Sequence, residues 1–170
     1  MEIIPLKSKY IREIVSWIKS ESDMVQWAGL VFTWPMTQKQ FKEHIKKGKK
    51  ESQTLFPFVM VNDNRLIGYC ELSAFHRHTN QARLTRVIIS PWHRNKGMAA
   101  VMLKEVLNFG FETLDLNRIA LGVFDFNEAA ITCYKKLGFS LEGTMRESAK
   151  TGNTYWNCYL MSILRKEWNC

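Results

Sequence analysis

The sequence is poor in the residues that build metal centres and covalent cross-links. It has four cysteines, Cys70, Cys133, Cys158 and Cys170, so widely spaced that none forms a C-x-x-C pair, and only four histidines. A zinc site and a disulfide framework are therefore not expected, and reduced thiols in cytoplasm are the economical reading. Proline is scarce too. Its four residues are scattered, which with the rest of the composition argues against disorder and low-complexity scaffolding. Long apolar runs are missing: the stretch 56–61, broken by Pro57, falls far short of the roughly 20 residues a bilayer requires. The opening Met-Glu-Ile-Ile-Pro has no basic n-region and no long apolar segment, so it does not read as a secretory signal. Two nucleotide signatures are also lacking. Neither G-x-x-x-x-G-K-[ST] nor G-x-G-x-x-G occurs, which removes the Walker P-loop and the Rossmann dinucleotide site.

What is present suits one globular domain spanning 1–170. Hydrophobic residues make up 46% of the 170 and charged residues 24%, enough apolar material for a sizeable core. Lys and Arg number 24 against 16 Asp and Glu, a net charge of +8 with histidine neutral. That excess favours anionic partners through its long-range field, without choosing among nucleic acid, ribosome and phosphorylated cofactor.

Along the chain, Ser8 reads as an N-cap before a helix carrying Ile11, Ile14, Val15 and Ile18. Residues 23–34 read as a short helix plus loop. Thr37-Gln38-Lys39-Gln40 has capping-box form and opens a helix that turns Phe41 and Ile45 inward. Its basic end, 46–50, reads as a solvated helix terminus. Strands follow at 54–61 and 66–72, joined by the turn-forming Asn62-Asp63-Asn64-Arg65. A third strand is predicted at 81–89, a helix over 98–114, a strand at 119–124 and a helix from Asn127. Strands at 139–145 and 154–164 close the chain, with a polar loop between them. Strands alternating with helices in the middle, and antiparallel pairs at both ends, predict a mixed α/β sheet.

The most informative segment runs Val87-Ile88-Ile89-Ser90-Pro91-Trp92-His93-Arg94-Asn95-Lys96-Gly97-Met98-Ala99-Ala100. A buried strand ends, a basic loop turns, and a helix starts on small residues. Unsatisfied N–H groups at a helix start hold anions well, Gly97 admits close approach, and Arg94 and Lys96 add full charge. About thirty residues later stands Asn127-Glu128-Ala129-Ala130-Ile131-Thr132-Cys133-Tyr134-Lys135-Lys136-Leu137-Gly138-Phe139. There Asn127 suits a helix cap, Tyr134 falls nearly two turns on along the same face, and Gly138 ends the helix.

This pair of segments resembles the acetyl-CoA-binding motif and the following N…Y-x-x-x-G-F motif of the GCN5-related N-acetyltransferase (GNAT) superfamily. Glu142-Gly143-Thr144-Met145-Arg146-Glu147 and the closing 161–168 are similar to its RimJ/RimL-type branch, which contains ribosomal-protein N-terminal acetyltransferases and many enzymes acting on small amines. The resemblance implies an acetyl-CoA-dependent N-acetyltransferase fold with strands 81–89 and 119–124 parallel and splayed apart. Pantetheine would lie in the opening against Val87 and Ile89, with a bulge aiming an N–H at the thioester oxygen. The pyrophosphate would rest on amides of Arg94, Asn95, Lys96, Gly97, Met98, Ala99 and Ala100. By family position Tyr134 is the general acid; the alternative is an aromatic packing its helix on the sheet. Asn127 either bonds the cofactor or simply caps its helix. Dimerisation is common in such enzymes, and the sequence shows no interface for it.

Acyl transfer to an amine needs alignment, a neutral amine and a protonated leaving thiolate. No acidic residue lies in 81–89, and Gly122 stands where some relatives carry a base. Glu71 is the substitute of choice, with Asp125 and then Glu142 behind it. His76 and His78 are alternative acceptors, and a water relay without a single essential base is also compatible. The amine acceptor, a small molecule or a protein N-terminus, would meet an N-terminal lid, where Trp27, Phe32, Trp34, Phe75, Tyr155 and Trp156 line a pocket or pack as core. The +8 charge is a mild objection to a polyamine and none to an acidic protein or anionic metabolite. Competing functions are a basic ribosome- or RNA-binding module and an acyl-CoA sensor without turnover. Against the first of these, bases and aromatics do not alternate along any strand.

Overall fold

Alternating apolar residues build the central layer. The computed structural model describes residues 1–50 and 54–168, with only the backbone of 49 and 50; Cys170 thus lies outside the described residues. The strands are β1 (Glu2–Pro5), β2 (Leu55–Asn62), β3 (Arg65–His76), β4 (Gln81–Ile89), β5 (Arg118–Phe124), β6 (Ser140–Thr151) and β7 (Thr154–Leu164). They form one seven-stranded sheet ordered β1-β2-β3-β4-β5-β7-β6. Every neighbouring pair is antiparallel except β4 and β5.

Helices α1 (Ile11–Ser16), α2 (Glu21–Ala28) and α3 (Gln38–Lys50) cover one face, around Ile14, Met24, Phe41 and Tyr69. Helices α4 (Met98–Asn108) and α5 (Glu128–Lys136) cover the other, around Leu72, Met102, Leu107 and Ile119. Among the described residues no helix is long and apolar enough to cross a membrane, and no cluster of three potential metal ligands occurs.

The turn at 62–65 forms as its residues dictate. Asp63 and Asn64 both take positive φ, 47° and 62°, the backbone that a two-residue hairpin with native twist demands. Phe41 and Ile45 are buried as the helical spacing of α3 requires. Its capping box is half made: the amide of Gln40 donates to Thr37 Oγ1 at 3.3 Å, but the Gln40 side chain binds the backbone of Thr33 and Pro35 instead.

Other expectations are corrected. Ser8 is no cap; it opens a 3-10 turn over Ser8–Tyr10, and no side chain caps α1. The short β1 pairs with β2 and had no legible signal, because its four residues owe their conformation to a partner more than fifty residues away. The helix expected over 98–114 is α-helical to Asn108 and then widens to a π-turn over Phe109–Thr113. The polar loop expected between the last two strands is largely strand. β6 runs on to Thr151 because a bulge between Met145 and Ala149, with Glu147 at φ 50°, absorbs the irregular polar segment.

The sheet opens in its centre. β4 and β5 pair at only three positions, Gln81↔Arg118, Ala82↔Ile119 and Arg83↔Ala120, and then diverge. Just beyond the last pair, β4 bulges: Tyr69 faces Ile88 and Glu71 faces Thr85, so Arg86 and Val87 share the single residue Cys70 opposite. Arg86 takes φ 52° to make this possible.

Candidate active site

A cavity of about 460 Å³ occupies that opening. Val87, Ile88 and Ile89 form its β4 wall, and Gly122, Val123 and Phe124 its β5 wall. From the far ends come the start of α4 and the inner side of α5, while Gln26 and Trp27 of α2 close the remaining side.

At one end stands the N-terminus of α4. Gly97 adopts φ 72°, and no side chain caps the helix, so the first-turn amides are unclaimed within the protein. A Cβ on Gly97 would meet nothing within 4 Å; the glycine is there for its backbone, over open space. Asn95 is likewise left-handed, at φ 58°. Arg94, Asn95 and Gly97 line the cavity, followed by Met98, Ala99 and Ala100. Lys96 does not. Its Nζ turns back onto the carbonyl of Trp92 at 3.1 Å, which corrects the expectation that it faces this mouth. Arg94 Nε donates to the carbonyl of Ile89 at 3.2 Å, fixing the guanidinium beside the strand end. Bared amides, left-handed turns and an arginine fit a diphosphate, and the residues present thus fit coenzyme A.

Midway along the cavity stands Tyr134, 8% exposed, its ring tilted against Phe139 at 5.8 Å. Its hydroxyl makes no protein hydrogen bond among the described residues, and it belongs to the cavity wall. Burial, with lesser contributions from Cys133 and Cys70, holds its proton well above the ordinary phenol range. Packing and exposure to the cavity are therefore both realised in one side chain. Asn127 does two things as well: it accepts from the Ala130 amide at 3.3 Å as the cap of α5, and it lines the cavity. Cys133, also on the wall, has its thiol pushed up by burial, offset in part by Lys136.

Glu71 is not where a base would need to be. It is completely buried, does not line the cavity, and sits at the hub of a polar cluster. Arg86 Nε donates to it at 2.6 Å, the Tyr69 hydroxyl donates to it, and His44 Nε2 lies 3.1 and 3.2 Å from its two oxygens. Both oxygens are thus engaged, and the member of this cluster that lines the cavity is Arg86. The burial enforces this pairing, since an isolated carboxylate could not be desolvated there. The other candidate bases are elsewhere. Asp125 Oδ2 accepts from Asn157 at 2.9 Å, Glu142 is held by Arg118 and Ser162, and His76 and His78 stand exposed around the β3–β4 turn. None of these lines the cavity.

The six aromatics do not form one pocket. Trp27 alone lines the cavity; it stacks on Phe32 at 5.9 Å and donates Nε1 to the Arg86 carbonyl at 2.9 Å, bracing the bulge. Trp156 packs on Phe124 and Phe126, Phe75 on Phe56, while Trp34 and Tyr155 are exposed. Arg86 and His44 were not singled out by the sequence. The available signal was an acid in a buried strand, which requires a cation nearby.

Comparison with known proteins agrees with this geometry. The family model described as Acetyltransferase (GNAT) family matches residues 21–139. The N-acetyltransferase YnaD of Bacillus subtilis is 28% identical over 134 residues, 78% of this chain and 77% of that protein. Spermidine N(1)-acetyltransferase of Escherichia coli is 33% identical over 111 residues, 65% of this chain but only 59% of that enzyme. The crystal structure of spermidine N-acetyltransferase from Vibrio cholerae in complex with CoA and spermine matches with a TM-score of 0.85 over 98% of this chain and 96% of that one. Sequence identity there is 24%, a likeness of fold. With a splayed strand pair, an uncapped helix start and a family match over most of its length, the chain belongs to the GNAT family and is an acetyl-CoA-dependent N-acetyltransferase.

Proposed function

We propose that the acceptor is the primary amine of a small molecule, acetylated by direct attack in a ternary complex. One observation carries this reading: a single cavity joins the uncapped start of α4, the Tyr134 hydroxyl and the α2 side of the sheet. Bound there, acetyl-CoA supplies an activated acetyl thioester.

The chain's own groups do the rest. Amides of residues 94–100, Lys96 through its backbone only, hold the diphosphate, and Val87 and Ile89 offer strand-like pairing to the pantetheine. The bulge, where Arg86 and Val87 share Cys70 opposite, would turn an N–H toward the charge that develops on the thioester oxygen. Tyr134 gives its proton to the departing sulfur as the C–N bond forms and the C–S bond breaks. The amine's proton leaves through water, since no carboxylate lines the cavity among the described residues. In this scheme Glu71 is a positioning residue that fixes Arg86.

A RimJ/RimL-like role on a protein N-terminus is the alternative. The deciding experiment is thiol release from acetyl-CoA with a panel of small amines, amino acids and N-terminal peptides. Release with small amines is the expected result, and release with peptides alone moves the acceptor to a protein N-terminus. An absence of release with every acceptor, together with no calorimetric heat on adding acetyl-CoA, overturns the reading.

A further inference from the structure

The α2 end of the cavity has an unusual charge pattern for an enzyme whose relatives include spermidine acetyltransferases. Thr85, Arg86, Gly122 and Phe124 meet Gln26 and Trp27 there, and no Asp or Glu lines the cavity among the described residues. Arg86 is a cation with one edge committed and one free. Its Nε is tied to Glu71 at 2.6 Å, while among the described residues its two terminal nitrogens have no hydrogen-bond partner and are not fully buried. Because Glu71 also takes the Tyr69 hydroxyl and His44, the guanidinium is held in place from behind.

Arg83, on the same strand, is exposed and lies outside the cavity wall. Arg83 faces Ser73 and Thr85 faces Glu71 across the β3–β4 ladder, so their side chains share the face on which Arg86 reaches Glu71. Arg83 has no carboxylate within 4 Å among the described residues. Cys158 Sγ lies 3.0 Å and Arg83 Nη2 3.7 Å from where a Cβ on Gly122 would stand, so the missing side chain on this wall residue brings the guanidinium up to the cavity's edge. On the cavity wall at this end the charged group is Arg86, with Arg83 behind Gly122. Asp125 accepts a hydrogen bond from Asn157 at 2.9 Å and does not line the cavity.

We propose that the acceptor is a primary amine that also carries a carboxylate, an amino-acid-like molecule whose acid group docks on the free edge of Arg86 and on Arg83. A planar guanidinium fork matches a carboxylate bidentately, and partial desolvation in the cavity strengthens that pairing. A polyamine would bring further cations to an end that offers no anion. This inference rests on the transfer reaction proposed above.

The test is steady-state thiol release with free amino acids, their carboxamides and spermidine, on the wild type and on Arg83→Gln. Amino acids should exceed their carboxamides in kcat/KM by about tenfold or more, the discrimination expected when a charged pair is made or lost. Spermidine should be poorer still. R83Q should shrink the acid-over-amide ratio by about tenfold through the KM of the acid, because it removes one of the two docking cations. Carboxamides or spermidine turned over as well as the acids overturn the proposal while leaving acetyl transfer intact. R83Q lowering kcat on acids and amides alike also overturns it. No thiol release with any amine ends both this inference and the reaction it rests on.

Discussion

Tyr134 is the residue whose surroundings state its job most directly. A phenol removed from water keeps its proton, so in the proposed reaction it would meet the leaving sulfur as a neutral donor. Tyr134→Phe should keep the ring and its contact with Phe139 and lose only the donor. The expected result is a kcat reduced by about 100-fold, at the lower end of general acid contributions, with little change in the KM for acetyl-CoA. The wild-type pH profile follows from the same shift. Activity rises as the amine, with an ordinary pKa of about 10.4 for a lysine-like group, loses its proton. Since the Tyr134 pKa is raised, its ionisation brings no falling limb below about pH 10, its ordinary value. A bell-shaped profile descending near pH 8 would sink the assignment. Glu71 is tested differently. Glu71→Gln leaves the near-buried Arg86 without its counter-charge, and breaking such a pair costs about 3–5 kcal/mol. Denaturant melts should register that loss, and the KM for the acceptor should rise, while the ascending limb keeps its position. An ascending limb that disappears in this variant would return Glu71 to the role of base.

At the scale of elements, the start of α4 concentrates what the sequence could reveal. A strand end, a basic turn and Gly97-Met98-Ala99-Ala100 were readable because each step is local: strand, turn and helix start all follow from neighbouring residues. Gly97→Val therefore makes a clean probe. A Cβ there meets nothing within 4 Å, yet a β-branched residue resists φ 72°, at about 1–3 kcal/mol of strain. We expect the KM for acetyl-CoA to rise by about tenfold or more, because each 1.4 kcal/mol is a factor of ten, with a modest change in melting temperature. An unchanged KM would remove the α4 amides from the diphosphate site. What the sequence did not reveal was the path of a turn and the pairing of distant residues. Lys96 reads as a phosphate ligand, yet only the turn's three-dimensional course sends its ammonium back to Trp92. Glu71 reads as a base in a strand, and its commitment to Arg86 depends on a bulge fifteen positions later. The scattered aromatics looked alike in sequence; the fold puts Trp27 and Phe32 on one face, Phe75 on the other, leaves Trp34 and Tyr155 exposed, and of the six brings Trp27 alone to the cavity.

The whole molecule places ionisable groups in both of its cores. Tyr69 lies in the core beneath α1–α3, while Cys70 and Tyr134 lie in the core beneath α4 and α5. Burial raises the pKa of all three, most plainly for Tyr69, where Glu71 adds to the effect. The unfolded chain releases these protons at ordinary values, about 8.5 for a thiol and about 10 for a phenol. The folded chain retains them to higher pH. Above those values the unfolded state binds fewer protons than the folded state, so stability must fall as pH rises. The contribution is complete below about pH 8.5 and is lost progressively above it, each group shifting the unfolding equilibrium by up to tenfold per pH unit. Lysine deprotonation works in the opposite direction by relieving the repulsion of a +8 chain. That term belongs to exposed charges and is screened by salt, whereas burial is not. Urea midpoints at high ionic strength should therefore decline from pH 8 to pH 11, with Cys70→Ala flattening the first part of the decline. A midpoint that holds level or rises across this range would mean that the two cores open to water before unfolding, against the burial of Tyr69 and Cys70 on both sides of β3.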